Sequence, residues 1–181
     1  MARIYLASSW RNPYQPSVLK ALRDAGHEVY DFRNPPHGEG GFKWKNVDER
    51  WEEWTNEDYI KSLTHPVAEY GFKNDMDAMQ WADVCVLLLP CGKSAHSEAG
   101  WMQGAGKPTY VLLTDKQEPE LMYKLFAGVF CCVEDLLKEL KGWGEKSKRT
   151  TRLRMPPINC GTPKPKDGEK EPSRNIEWID D

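Results

Sequence analysis

Asp83-Val-Cys-Val-Leu-Leu-Leu-Pro90 is an unbroken apolar run closed by a proline, and Cys-Gly-Lys-Ser-Ala-His-Ser-Glu98-Ala-Gly-Trp follows it at once. A run this short, with no alternation of polar and apolar residues, predicts a strand buried on both faces of a parallel sheet, with a loop and then a helix behind it. Few folds accommodate such a strand. Helices must cover both sides of the sheet, and ligands then bind beyond the carboxyl ends of the strands. Glu98 falls at the predicted start of the helix, where a carboxylate facing the crevice can act as a nucleophile.

The rest of the chain supplies the alternation that such a sheet needs. Arg3-Ile-Tyr-Leu-Ala7 reads as a first strand, and Pro16 to Ala25, with Val18, Leu19 and Leu22 at helical spacing, as the helix behind it, ended by Gly26. His27 to Phe32 is a second strand, so the β-α-β order predicts parallel pairing. A helix from Pro66 to Ala82 leads into the third strand. A helix from His96 to Ala105, closed by Gly106, leads to a fourth at Thr109 to Thr114, and Gly128 to Val133 with Glu134 to Lys141 gives a fifth strand and a last helix.

With 181 residues, 39% of them hydrophobic, the chain supports one ordinary core, read as a catalytic domain over 1–143 followed by a tail. Its 28 acidic and 25 basic residues leave a net charge of −3. No global field favours a nucleic acid polymer or an anionic membrane. No apolar run approaches the roughly 20 residues of a membrane span, and Met-Ala-Arg-Ile-Tyr-Leu lacks the plan of a signal peptide, so a cytoplasmic location is expected. The cysteines Cys85, Cys91, Cys131, Cys132 and Cys160 are odd in number and include no CxxC pair, which argues against a disulfide framework and a zinc site. Cys85 and Cys131 read as core thiols.

Two segments break the alternation. Between Asn34 and Leu63, Pro-Pro-His-Gly-Glu-Gly-Gly is followed by Phe42, Trp44, Trp51, Trp54 and Tyr59, an insertion long enough to expect function of it. Its aromatics form either a lid that stacks on a planar ligand or, through Val47, Trp51 and Trp54, the inner face of an accessory helix. From residue 144 to 181, Lys, Arg, Pro, Gly, Glu and Ser dominate, and too little apolar surface is on offer to offset the entropy of ordering. A disordered tail is expected there, its Lys146 to Arg154 cluster a solvated charge run.

Four places converge on one edge of the predicted sheet: the turn after the first strand, the insertion, the helix before the third strand, and the turn into the helix that bears Glu98. Ile4-Tyr5-Leu-Ala-Ser-Ser-Trp10, Asn74-Asp75 ahead of Asp83, the apolar strand leading to Ser97-Glu98-Ala-Gly-Trp, and Gly106-Lys-Pro together resemble the nucleoside 2-deoxyribosyltransferase family over about residues 3 to 114. No single motif is specific; their order and spacing carry the likeness.

The resemblance implies a flavodoxin-like, doubly wound, five-stranded parallel sheet, an aromatic-rich insertion after its second strand, and no metal or redox cofactor. It implies cleavage of the N-glycosidic bond of a 2′-deoxynucleoside and transfer of the sugar to another base. The partners it implies are a nucleoside or nucleotide and a free base, in a homo-oligomer. Glu98 matches the family's nucleophile, which forms a covalent deoxyribosyl ester. The chemistry suits a carboxylate, which stabilises an oxocarbenium-like transition state and then traps it. Asp75 matches the aspartate that helps protonate the departing base, with Asp77 its rival two residues on; at that helical spacing only one can face the pocket. Tyr5 matches the tyrosine that orients the nucleophile, and Trp10 an aromatic near the base, although either also suits a core. Ser8 and Ser9 offer hydroxyls to a sugar or phosphate, or simply make the turn.

The chain departs from the family in the loop before Glu98. Transferases carry an acidic residue there, whereas Cys91-Gly-Lys-Ser-Ala-His96 offers Ser94 and His96 as substrate contacts. A sibling group, the 2′-deoxynucleoside 5′-monophosphate N-glycosidases, has Ser-x-Arg after its first strand, and Ser9-Trp10-Arg11 fits that pattern, with Lys93 and Ser94 as further phosphate donors. Hydrolysis of a monophosphate is therefore the alternative to transfer, and a non-catalytic nucleotide-binding module a third reading. A flavin-carrying flavodoxin is disfavoured, because the first turn lacks a Ser/Thr-rich phosphate cradle.

Overall fold

The computed structural model describes residues 1–36, 40–141 and 143. The expected tail at 144–181, with Cys160 and the Lys146 to Arg154 cluster, lies outside the described residues, as does the centre of the Pro/Gly-rich stretch at 37–39.

Five parallel strands form one sheet: β1 (Arg3–Ala7), β2 (Glu28–Tyr30), β3 (Val84–Leu88), β4 (Thr109–Leu112) and β5 (Gly128–Phe130), in spatial order β2-β1-β3-β4-β5. This is the doubly wound flavodoxin-like order, with its switch point between β1 and β3, where the chain stops winding one way and starts winding the other. Every residue of β3 is fully buried, as its unbroken apolar run predicts.

Period-two alternation sorts the strand residues into two layers. Ile4, Leu6, Val84, Val86 and Leu88 pack against Val18, Leu19 and Leu22 of α1 (Gln15–Asp24) and Leu136 and Leu140 of α5 (Val133–Leu140). Tyr5, Ala7, Cys85 and Leu87 face the other way. They meet Ala78 and Met79 of α3 (Pro66–Trp81), and Ala95, Ala99 and Met102 of α4 (Lys93–Gly104). Gly26 and Gly106, at φ +85° and +77°, supply the left-handed residue that ends α1 and α4.

Lys107 pins the far end of α3: its Nζ donates to the carbonyls of Met79, Gln80 and Ala82 at 2.7, 2.6 and 2.6 Å, partnering groups that a helix end leaves open. Asp83 holds the start of β3 to Arg3 through a 2.6 Å ion pair and a bond from the Arg3 backbone N–H.

Three expectations are corrected. The insertion forms no helix through Val47, Trp51 and Trp54. It makes two short 3-10 turns, at Trp44–Asn46 and Trp51–Glu53, and its helix, α2, comes later at Asn56–Ser62, started by a reciprocal Thr55/Asp58 capping box. Trp54 turns inward because its indole N–H donates to Asp48 at 2.9 Å. Cys131 is exposed rather than a core thiol, since β5 ends at Phe130; Cys85 alone of that pair is buried. Finally, α4 begins at Lys93, three residues earlier than predicted, so Glu98 stands in its second turn and not at its start. Among the described residues no helix is long and apolar enough to cross a membrane.

Candidate active site

A cleft of about 330 Å³ opens at the carboxyl edge of β1, on the α3/α4 side of the sheet. Its inner end is built by three elements. Tyr5 comes from β1 because odd positions of that strand face α3 and α4. Asp75 comes from α3, whose Val67, Gly71, Asn74 and Asp75 recur at the three- and four-residue spacing of one helical face and all line the cleft. Glu98 comes from α4, one turn beyond Ser94 on the same face.

The electrostatics of this inner end are unusual for carboxylates. Burial, and then the neighbouring charge of Asp75, raise the Glu98 carboxyl to about 7, while a side-chain hydrogen-bonding interaction with Tyr5 works the other way. Burial raises Asp75 to about 6. The Tyr5 phenol is held well above its usual range, first by burial and then by Glu98 and Asp75. Two partly buried carboxyl groups with raised pKa values beside a neutral phenol can carry one shared proton near neutral pH. Such a pair provides a nucleophile and an acid in one cleft.

Aromatic rings make the walls. Tyr30 stacks on Tyr5 with centroids 5.6 Å apart, and Trp10 packs edge-on against Phe32 at 5.3 Å. The insertion contributes Phe42 and Trp44, whose rings meet at 4.7 Å, with Trp44 backed by Trp54 and Tyr59. Lys43 holds its ammonium 5.1 Å from the centre of the Trp10 ring.

The residues singled out in the sequence divide cleanly. Tyr5, Ser8, Trp10, Asp75, Ser94 and Glu98 all line this cleft. Asp77 does not: it points to solvent in an ion pair with Lys73, one turn back on α3. Ser9 and Arg11 are not among the lining residues; the Ser9 hydroxyl accepts from the Arg11 N–H at 3.1 Å in a local turn, and Arg11 is exposed. Ser8 also fixes the loop, donating to the Leu88 carbonyl at 3.0 Å. His96 turns away from the cleft. Its Nδ1 donates to the Gly92 carbonyl at 2.9 Å and its Nε2 accepts from the Tyr123 hydroxyl at 2.9 Å, under a stacked Tyr123 ring.

Several lining residues escaped the sequence reading. Gly71 and Val67 were available by stepping back along α3 from Asp75 four residues at a time, and Tyr70 by the same step from Asn74, whereas Lys43 and Asn46 carried no periodic signal. Arg33 was also missed. Its Nη2 reaches the carbonyls of Ser9, Trp10 and Asn12 at 2.9, 3.0 and 2.9 Å, holding the loop that presents Trp10.

No protein-family model and no curated protein sequence matches the chain. Among solved structures it is similar to a 2-deoxyribosyltransferase from the psychrotolerant bacterium Bacillus psychrosaccharolyticus, at TM-score 0.51 and 26% identity over 75% of this chain and 90% of that one. It is also similar to a conserved protein from Enterococcus faecalis V583, at TM-score 0.51 and 18% identity over 79% of this chain and 99% of that one, a likeness of fold alone. A Clostridium botulinum CMP N-glycosidase superposes more loosely, at TM-score 0.42 and 17% identity over 77% of this chain and 98% of that one. The five-stranded parallel sheet with helices on both faces is therefore the fold seen in a solved deoxyribosyltransferase structure.

Proposed function

We propose that this protein cleaves the N-glycosidic bond of a 2′-deoxynucleoside through a covalent deoxyribosyl ester on Glu98 and passes the sugar to a second base. The observation that carries this reading is the convergence of Tyr5, Asp75 and Glu98, from three separate elements, on one aromatic-walled cleft. Similarity to a 2-deoxyribosyltransferase supports the same class of chemistry.

In the first step a Glu98 carboxylate oxygen bonds to C1′ as the C1′–N bond breaks, and the bonding pair leaves with the base. Asp75 gives that nitrogen its proton, without which the base departs as a poor anion. Tyr5 holds Glu98 in line and keeps enough of it ionised to attack. In the second step an acceptor base attacks C1′, the ester bond returns its pair to Glu98, and the acceptor's N–H proton goes to Asp75. The aromatic walls stack on the planar base and exclude water from the ester. With water as acceptor the same residues would perform hydrolysis.

The test is incubation with purine and pyrimidine 2′-deoxynucleosides and their 5′-monophosphates, each with and without a second free base, followed by chromatography. Formation of a new nucleoside is expected. Base release unaffected by an added base would replace transfer with hydrolysis, and neither product from any substrate would overturn the glycosyl reading. We further propose self-association, because Phe72 (65% exposed), Tyr70 and Ile60 present apolar surface beside the cleft's helices. A strictly monomeric, fully active species by light scattering would refute that.

A further inference from the structure

The insertion touches the rest of the site at two places where a side chain has been omitted to allow contact. At residue 41 a Cβ would stand 2.5 Å from the Phe32 carbonyl oxygen and 2.8 Å from the Trp10 ring. At residue 71, on α3, a Cβ would stand 2.8 to 2.9 Å from three carbons of Phe42, closer than such atoms approach. Glycine at both positions lets the insertion run from Trp10 to α3 and seat Phe42 directly on the helix. Gly71 lies one turn before Asp75 on the cleft-facing side, so Phe42 borders the part of the cleft where a protonated base would lie. A cleft of about 330 Å³ is near the lower limit of the roughly 300 to 1,000 Å³ usual for small-molecule sites, so little spare room exists there.

Resting on the glycosyl reading, we propose that the contact between Gly71 and Phe42 sets the size of the base this protein accepts, and that glycine at 71 is what admits a bicyclic purine. Phe42 has α3 on one side and the Trp44 ring 4.7 Å away on another. A methyl group at 71 therefore drives the Phe42 ring toward the cleft. The base space then shrinks by about the bulk of a methyl group, enough to discriminate ligands that differ by little more than that, by about tenfold or more. A purine loses most, a single-ring pyrimidine least.

The experiment compares kcat/KM for 2′-deoxyadenosine and thymidine in wild type, Gly71→Ala, Phe42→Gly and the double variant. Taking a ratio of two substrates on one enzyme cancels any change in folded fraction, and alanine suits a helix interior better than glycine. Gly71→Ala should lower the purine-to-pyrimidine ratio by about tenfold or more. The double variant should return to the ratio of Phe42→Gly, since the added methyl group then meets neither the Cβ nor the ring of residue 42. A ratio in Gly71→Ala within twofold of wild type, or a double variant that keeps the Gly71→Ala ratio, overturns the proposal. Calorimetric binding of free adenine and thymine to the same four proteins repeats the comparison without chemistry. Wild type that binds bases with the predicted pattern but cleaves no nucleoside would overturn the glycosyl reading and leave this inference standing. Cleavage with an unmoved ratio would do the reverse, and neither binding nor cleavage would overturn both.

Discussion

The two faces of the sheet are built from alternate residues of the same strands, yet they differ in kind. Toward α1 and α5 the layer is mainly aliphatic, with Ile4, Leu6, Leu22, Val86, Leu88, Leu136 and Leu140, and its rings, Tyr110 and Phe130, sit at the β4–β5 end away from the cleft's strand β1. Toward α3 and α4 it holds Tyr5, Tyr30, Cys85 and the small residues Ala78, Ala95 and Ala99, and it borders two carboxyl groups. The first face is built for burial alone. On the second, the low-dielectric surroundings that pack the sheet also raise Asp75 and Glu98 toward neutrality, so stability is traded for reactive groups.

The largest test of that contrast is Glu98→Gln. On the proposed mechanism it removes the nucleophile and lowers turnover by about three orders of magnitude or more. It should also stabilise the fold at alkaline pH. The folded carboxyl titrates at about 7 against an ordinary 4.5, so the stability it contributes as a neutral acid is complete below 4.5 and lost as pH rises through 7. The glutamine variant should gain roughly 1 to 3 kcal/mol at pH 8 and nothing at pH 4, read as the difference in denaturant midpoints. A loss of stability at pH 8 would break the account of this face.

Next in size is Asp75→Asn. The pair holds one proton between about pH 6 and 7, and the productive form is the minor arrangement, with that proton on Asp75 and Glu98 ionised, because Glu98 is raised to about 7 and Asp75 only to about 6. The wild-type kcat/KM profile should therefore be a bell over that range. Asparagine at 75 should cost about a hundredfold and remove the alkaline limb, since no proton remains there to lose. The acid limb should hold its position or move slightly to higher pH, because Asp75 is already uncharged in the doubly protonated pair from which that limb rises. A bell that keeps both limbs would assign the alkaline one elsewhere.

On the opposite face, Leu136→Ala should cost about 2 to 5 kcal/mol of stability through an unfilled cavity, with kcat unchanged in protein held well below its melting point. A fall in kcat beyond twofold would mean that the two faces are coupled. The smallest effect should come from Asp77→Asn. It breaks only the exposed pair with Lys73, worth at most about 1 kcal/mol, and activity should stay within twofold.

How much of this was legible in the sequence follows from what each signal measures. The central strands β3 and β4 could be read because buried parallel strands are apolar without interruption, and β3 is the extreme case. Helical geometry shows that only one of Asp75 and Asp77 can face the pocket, and the family resemblance chooses Asp75. The 3-10 turns of the insertion could not be read, because Trp51 and Trp54 at helical spacing look amphipathic while the chain is held by single bonds such as that from Trp54 to Asp48. The start of α4 was read late because Lys93, Ser94 and His96 carry no apolar period, although they occupy its first turn. Arg11 and Arg33 show a further limit. Both are arginines near a turn, and only the three-dimensional path of the chain decides that Arg33 reaches the carbonyls of the first loop while Arg11 faces solvent.

The claim on which the functional account turns is that Glu98 becomes covalently bonded to the sugar. Wild-type protein is mixed with a 2′-deoxynucleoside it cleaves, without acceptor base, quenched in acid within the first turnovers, digested and mapped by mass spectrometry. The account predicts one deoxyribosyl group on the peptide containing Glu98, lost on addition of an acceptor base before the quench and absent from Glu98→Gln. Continued base release with no adduct on that peptide, or an adduct on another residue, would contradict it.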